Sequence, residues 1–410
     1  MSIQETRPVL ILGYYFQPEN ASGAARINRF YKYLPQHGYL PYIVTSSVQD
    51  PSQPIPRVYH VPGIRHGNRN TLQGLREMFI RTVALPADEG MTWVGDAAAQ
   101  AGKLIEAHGI RTVISSFPPL NVHLVAMKLA KRYKVKWIAD FRDPLVGNPF
   151  RKKVSLTAVT ETILERQVFE NANAVLANTA PVAEMWCKRY PRHQPKVHVL
   201  WNGFDPDEES GALPVPERPY KVLIHAGVIY GPRHPGMLLA SVTRLVARGA
   251  IDPSKLHIQL VGTTDEPSLP ISMKTYQPLM DSRCLDWRNR SVPKKEAMNL
   301  TATADSLLLL DALSGNAGLQ LPAKAFEYVR IGRPIIAFTT RHSAVDQVIS
   351  GSGVPHCLVY ADDTDEQVDE KVLAFGRMPN TPVSPSEWFQ TNFDGCEQAG
   401  TLARLMDSLG

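Results

Sequence analysis

Cysteine is scarce in this chain. Its 410 residues hold four, Cys187, Cys284, Cys357 and Cys396, far apart and with no C-x-x-C among them. That excludes a disulfide scaffold and the usual structural zinc site, and it fits a reduced, cytosolic protein. Long apolar runs are missing too. Those present are of strand length, short of the ~20 residues a spanning helix needs. The N-terminus enters a strand-like run at 9–13 without a basic region and an apolar segment ending in a cleavage site, so no secretory signal is expected. There is no G-x-x-x-x-G-K-[ST], no G-x-S-x-G and no G-x-G-x-x-G. Without a recognised nucleic-acid motif or a basic and aromatic stripe, nucleic acid is not an expected partner.

What is present is length and an uneven charge. A chain of this size exceeds one ordinary core, and two domains are expected. The net charge of +5 conceals an asymmetry. Residues 1–200 hold 25 Lys and Arg against 14 Asp and Glu, a balance of +11, which leaves −6 for residues 201–410. A basic half suits an anionic lipid surface, reached through patches such as 65–81 and 151–153, or a phosphate-bearing substrate; it equally suits a merely soluble face.

Short apolar runs alternate with helical patterns in both halves. In the first, strands are expected at 9–13, 40–45, 112–116, 136–140 and 174–178, with helices at 24–36, 92–108, 121–133 and 154–171. In the second, strands are expected at 221–226, 257–261, 306–310 and 334–338, with helices at 235–248, 294–302 and 323–331. Such alternation predicts two Rossmann-like, doubly wound parallel sheets facing each other across a cleft. The expected domains are 1–201 and 202–385, joined by a Pro-rich linker. A C-terminal helix at 386–410, with an apolar stripe at Ala399, Leu402, Leu405 and Leu409, is expected to cross back to the first domain.

The stretch LPAKAFEYVRIGRPIIAF at 321–338 poses a problem of charge. Pro322 suits a helix start and Gly332 its stop, which puts Lys324 in the first turn, where the backbone dipole disfavours a cation. An anion nearby would resolve this. The strand at 221–226 runs into Gly227 and a Gly-rich turn bearing Arg233, whose guanidinium suits phosphate oxygens. A loop with Asn316, Ala317, Gly318 and Leu319 leads to the Lys324 helix. Another begins at Val292 and Pro293. Two cations and a helix end aimed at one crevice describe a diphosphate site, and Glu327, three residues after Lys324, reaches past it to hydroxyls. Equally open is a simple surface pair between Lys324 and Glu327.

In the first half, small residues around Gly23 open the first helix and allow close approach of a sugar. Asp140, Arg142 and Asp143 end a strand and put charge at the cleft rim. Asp143 before Pro144 also reads as a turn cap. His123 and His225 fall in apolar patterns and read as packed. Asp205-Pro206-Asp207 spells D-x-D but lies in the Pro-rich linker and reads as a turn.

At these residues the chain resembles retaining glycosyltransferases of the GT-B architecture, family 4 (group 1) type. The resemblance runs along nearly the whole chain. It rests on Gln17-Pro18-Glu19-Asn20-Ala21-Ser22-Gly23, Ser115-Ser116-Phe117-Pro118-Pro119 with His123, 137–144, and Asn202-Gly203-Phe204-Asp205. In the second half it rests on 227–233, Ala304-Asp305 with the following Leu run, Pro322-Ala323-Lys324-Ala325-Phe326-Glu327-Tyr328, and Gly332-Arg333-Pro334. The resemblance implies a nucleotide-diphospho-sugar donor in the second domain and a glycan or lipid-linked acceptor in the first, with no cofactor and no metal. It further implies Arg233 and Lys324 on the diphosphate, Glu327 on the ribose, and work in surface polysaccharide or glycolipid synthesis, peripheral to the cytoplasmic membrane face. Two features depart from the family pattern. Leu319 stands eight before Glu327 where a glutamate commonly touches the sugar, and Val228 follows Gly227 where arginine is common. Two other readings stay open: a non-catalytic paralogue that binds a nucleotide sugar or a partner transferase, and a nucleotide-sugar epimerase of the same architecture.

Overall fold

A computed structural model describes residues 6–17, 22–50, 52–63, 93–148, 156–313 and 318–410. The chain forms two compact units, 1–206 together with 393–410, and 207–392.

In the first unit, Val- and Ile-rich runs become parallel strands because both faces are covered by helices. They are β1 (Arg7–Leu12), β2 (Tyr39–Thr45), β3 (Val58–His60), β4 (Thr112–Phe117), β5 (Lys136–Phe141), β6 (Ala174–Ala177) and β7 (Val197–Val199). Their spatial order is β3-β2-β1-β4-β5-β6-β7, so the direction of winding reverses between β1 and β4. Val9, Ile11, Ile114 and Ile138 pack against Ile27 and Phe30 of the Ser22–Tyr33 helix. Ala399, Leu402, Ala403 and Met406 of the last helix, Gly395–Leu409, complete the same core.

The second unit repeats the plan with β8 (Lys221–Ala226), β9 (Ile229–Tyr230), β10 (Leu256–Gly262), β11 (Thr264–Asp265), β12 (Leu285–Asn289), β13 (Ser306–Leu310), β14 (Ile335–Thr339) and β15 (His356–Tyr360). Six of these form a parallel sheet in the order β12-β10-β8-β13-β14-β15, while β9 and β11 make a separate short pair. Here the reversal falls between β8 and β13. The helices Gly236–Ala247 and Asp365–Gly376 supply Leu238, Val242, Val372 and Phe375 to a core shared with Leu223 and Ile336.

Three local expectations change. The terminal segment is two helices, Glu387–Phe393 and Gly395–Leu409, because Asp394 caps the second by accepting from the backbone N–H of Cys396 (2.7 Å) and Glu397 (3.3 Å). The buried stripe turns toward Ala403 and Met406, leaving Leu405 and Leu409 partly covered. The turn after β8 enters β9 before any helix, and the next helix starts only at Gly236. The expected sites at Asn316 and Ala317, the 18–21 part of the N-terminal motif, and the basic patches at 65–81 and 151–153 lie outside the described residues.

Candidate functional site

In an open parallel sheet the ligand crevice lies beyond the strand C-termini where the winding reverses. In the second unit that point is the end of β8, followed by Gly227, beside the end of β13, followed by Asp311. The Lys324–Ile331 helix is fastened there. Its stop is Gly332, in the left-handed region at φ 76°, whose N–H returns to the Tyr328 and Val329 carbonyls. Pro322 stands two residues before the helix, and its carbonyl accepts from Ala325 N (2.9 Å) in a tight opening turn. Tyr328 is fully buried, and its hydroxyl accepts from Ala226 N at 3.1 Å, tying the helix to the end of β8.

Lys324 lies one turn before Tyr328 on the same face, so its stem falls across Gly227. A Cβ on Gly227 would sit 2.4 Å from Lys324 Cε, which explains the glycine. Gly262 is required next door, since at φ 138° its own Cβ would meet the Gly227 carbonyl oxygen at 2.2 Å. Among the described residues the Lys324 ammonium has no hydrogen-bond or ion-pair partner. Burial lowers its pKa, and Glu327 partly opposes that shift.

Arg233 approaches from the loop after β9. Its backbone exchanges hydrogen bonds with Tyr230, and Nη1 donates to the Tyr230 hydroxyl at 3.0 Å. Nη2 stands 3.9 Å from Asp311 Oδ1. Asp311 is buried and accepts from Thr339 Oγ1 (2.8 Å) and Ala312 N (2.7 Å). Burial raises its pKa, while Arg233 and these hydrogen bonds pull the other way. His225, two residues before Gly227, is buried in between. Its Nδ1 lies 3.0 Å from the Leu308 carbonyl, which only accepts, so that nitrogen carries the proton. Nε2 is left buried without a partner. Burial, then the charges of Lys324 and Arg233, bring the His225 pKa down to about 4. Both cations therefore bear on one imidazole, and the crevice holds a concentrated positive charge.

The other expected donor-side residues flank this centre. Glu327 is exposed on the helix that carries Lys324. Gly318, at φ 91°, accepts from Ala344 N (2.8 Å), which sets it and the partly buried Leu319 on the turn after β14. Val292 and Pro293 follow β12, two strands from β8, and Pro293 precedes the Lys294–Ala302 helix.

In the first unit Gly23 lies in the first turn of its helix. Asp140 is fully buried, accepting from Arg26 Nη2 and Ser116 Oγ, each at 2.7 Å. Arg142 is buried as well, donating to the carbonyls of Phe117 and Pro118, and burial lowers its pKa to about 10. Asp143 is partly buried in a bend before Pro144. His123 is packed, its Nδ1 at 2.7 Å from Ser115 Oγ. Asp205 of the D-x-D takes the Lys32 ammonium at 2.9 Å. Sequence reasoning gave no role to Asp311 or Tyr230, and it named Tyr328 only as part of a motif. Asp311 did carry a signal, being a carboxylate directly after a buried Leu-rich parallel strand.

Residues 23–208 match the Glycosyltransferase Family 4 sequence family. The chain has the GT-B fold. Similar solved structures span nearly all of it. Sucrose-phosphate synthase from Thermosynechococcus elongatus matches at 13% identity and TM-score 0.62, over 98% of this chain and 99% of that one. The lipopolysaccharide outer core galactosyltransferase WaaB in apo form matches at 12% and 0.62, over 98% and 100%. Anabaena HepE in complex with UDP and glucose matches at 11% and 0.55, over 98% and 100%. At such identities these structures establish the fold alone. No curated protein is a significant sequence match.

Proposed function

We propose that this protein is a glycosyltransferase that moves a sugar from a nucleotide-diphospho-sugar to a glycan or lipid-linked acceptor, with retention and without a metal. The single observation behind the donor assignment is the placement of Lys324 across Gly227 at the β8–β13 reversal, beside Arg233, with its ammonium unpartnered among the described residues. A diphosphate supplies the anion that this partly buried, dipole-opposed lysine lacks. As the bond to the sugar breaks, charge grows on the leaving diphosphate. Lys324, Arg233 and the start of the Lys324–Ile331 helix stabilise that charge without rearranging. Glu327, exposed one turn further, takes the ribose hydroxyls. Gly318 and Leu319 offer backbone contacts to the sugar in place of the missing glutamate. The solved relative holding UDP and glucose supports a nucleotide-sugar donor of this kind.

The deciding experiment follows donor turnover, with and without acceptor, by wild type, Arg233→Ala and Lys324→Ala. Each variant is expected to lose roughly 100- to 1,000-fold of turnover with its fold intact. Turnover like wild type in either removes the assignment, and a wild type without even slow donor hydrolysis favours a non-catalytic binder. Turnover unchanged by EDTA is the outcome expected of metal-free transfer. No helix among the described residues is long and apolar enough to cross a membrane. The basic balance of residues 1–200 supports peripheral attachment to an anionic cytoplasmic face, where a lipid-linked acceptor resides. Sedimentation with anionic liposomes is then expected to weaken as salt rises, and salt-independent or absent binding favours a soluble acceptor.

A further inference from the structure

The second unit has a cavity at the opposite edge of its sheet from Gly227 and Lys324. It lies beside the N-terminal ends of β8, β13 and β14, roughly 17 Å from the candidate donor site along β8 at about 3.3 Å per residue. Its volume is about 260 Å³. The walls are apolar: Leu223, Leu238, Val242, Ile336, Val372 and Phe375, each at most 7% exposed. Interior voids are usually no larger than a water, and a cavity of about 150 Å³ lined by such side chains stays dry and takes a benzene ring. On that scale this one holds about ten carbon atoms.

The mouth has the opposite character. Lys221, Lys255 and Arg377 stand around it, against a single unneutralised carboxylate, Asp252. Asp305 at the same edge is already paired with Arg218 at 2.7 Å. Lys221 donates to the carbonyls of Gly376 (3.1 Å) and Met378 (3.4 Å), while among the described residues the side-chain charges of Lys255 and Arg377 have no ion-pair or hydrogen-bond partner. The mouth therefore carries an excess of two positive charges. It opens onto a wider trough of about 900 Å³ that shares Lys221, Lys255, Asp305, Gly376 and Asn380 with it.

We infer that this cavity is a binding site for a single-chain aliphatic monocarboxylate, with its tail among Val242, Val372 and Phe375 and its carboxylate held by Lys255 and Arg377. The inference concerns the second unit alone and stands whether or not the donor assignment does. The test is calorimetric titration of the full chain with decanoate below its micelle concentration, beside hexanoate, decanol and decylamine. Decanoate is expected to bind best, with affinity falling roughly fourfold for each methylene removed. Val242→Trp fills the cavity and is expected to abolish decanoate binding while nucleoside diphosphate binding persists. Lys255→Glu with Arg377→Glu, both on the surface, is expected to reverse the preference toward decylamine, so the test survives a Val242→Trp that does not fold. Absence of decanoate binding overturns the site. So does equal binding of decylamine by the wild type, or decanoate binding unchanged in the charge-reversed variant.

Discussion

In the first unit Asp140, at the end of β5, gives both carboxylate oxygens to Arg26 and Ser116, and Arg142 beside it is occupied by backbone carbonyls. In the second, Lys324 reaches the equivalent end of its sheet with no partner among the described residues, and Arg233 stands 3.9 Å from a buried carboxylate. Both places lie at the C-terminal ends of parallel strands, where such folds bind ligands. The first set is closed: Asp140 is ion-paired with Arg26, and Arg142 is hydrogen-bonded to backbone carbonyls. The second keeps two cations, Lys324 and Arg233, around one buried carboxylate in a partly buried crevice, which is the state expected of a site awaiting an anion. Charge at a strand end thus marks function only when its partners are incomplete.

The largest effect expected from this contrast is on the closed set. Asp140→Ala leaves Arg26 buried and unpaired, and urea unfolding is expected to show a loss of about 3–5 kcal/mol. A loss below 1 kcal/mol means that the pair is not the closed structural element described. Next come Lys324→Ala and Arg233→Ala, expected to raise the transfer barrier by about 2.7–4 kcal/mol each while melting near the wild-type temperature. A large fall in melting temperature instead makes them structural like Asp140.

Gly227→Ala tests the contact between glycine and lysine. The added methyl displaces the Lys324 stem, and nucleoside diphosphate affinity is expected to fall about tenfold or more, the equivalent of about 1.4 kcal/mol. Unchanged affinity detaches Lys324 from the site.

A separate effect concerns acid. His123, down to about 3, and His225, down to about 4, are buried and neutral, whereas the unfolded imidazole titrates near 6.5. Their folded values are depressed, so below 6.5 the unfolded chain binds more protons. The stability they contribute is full above that pH and is lost as pH falls from about 6.5 toward 4, by roughly 1.4 kcal/mol per pH unit for each. Replacing either with Gln is expected to flatten the slope of unfolding free energy against pH, and an unaltered slope contradicts their burial in the neutral form.

The doubly wound architecture was legible because central strands such as β4, β5, β8 and β13 are buried on both faces and read as apolar runs. The edge strands β3, β7 and β15 were not, being short or only partly buried and so lacking that signature. Lys324 was legible through its conflict with the helix dipole, and Gly332 through helix-stop chemistry. The position of Arg233 came from a different local structure than expected, a backbone bridge to Tyr230 instead of a helix opening, because the β9–β11 pair depends on contacts distant in sequence. The unpartnered Nε2 of His225 was invisible for the same reason: its meaning lies in which strands become neighbours. For Asp140 and Arg142, sequence shows charge at a strand end but not that Arg26 arrives from the first helix to close it.

The most direct test of the diphosphate cradle is titration of nucleoside mono- and diphosphates into wild type and Lys324→Ala. The account predicts that wild type prefers the diphosphate by at least about tenfold and that the variant loses most of that preference while still binding the monophosphate. A Lys324→Ala variant that keeps the full preference contradicts it.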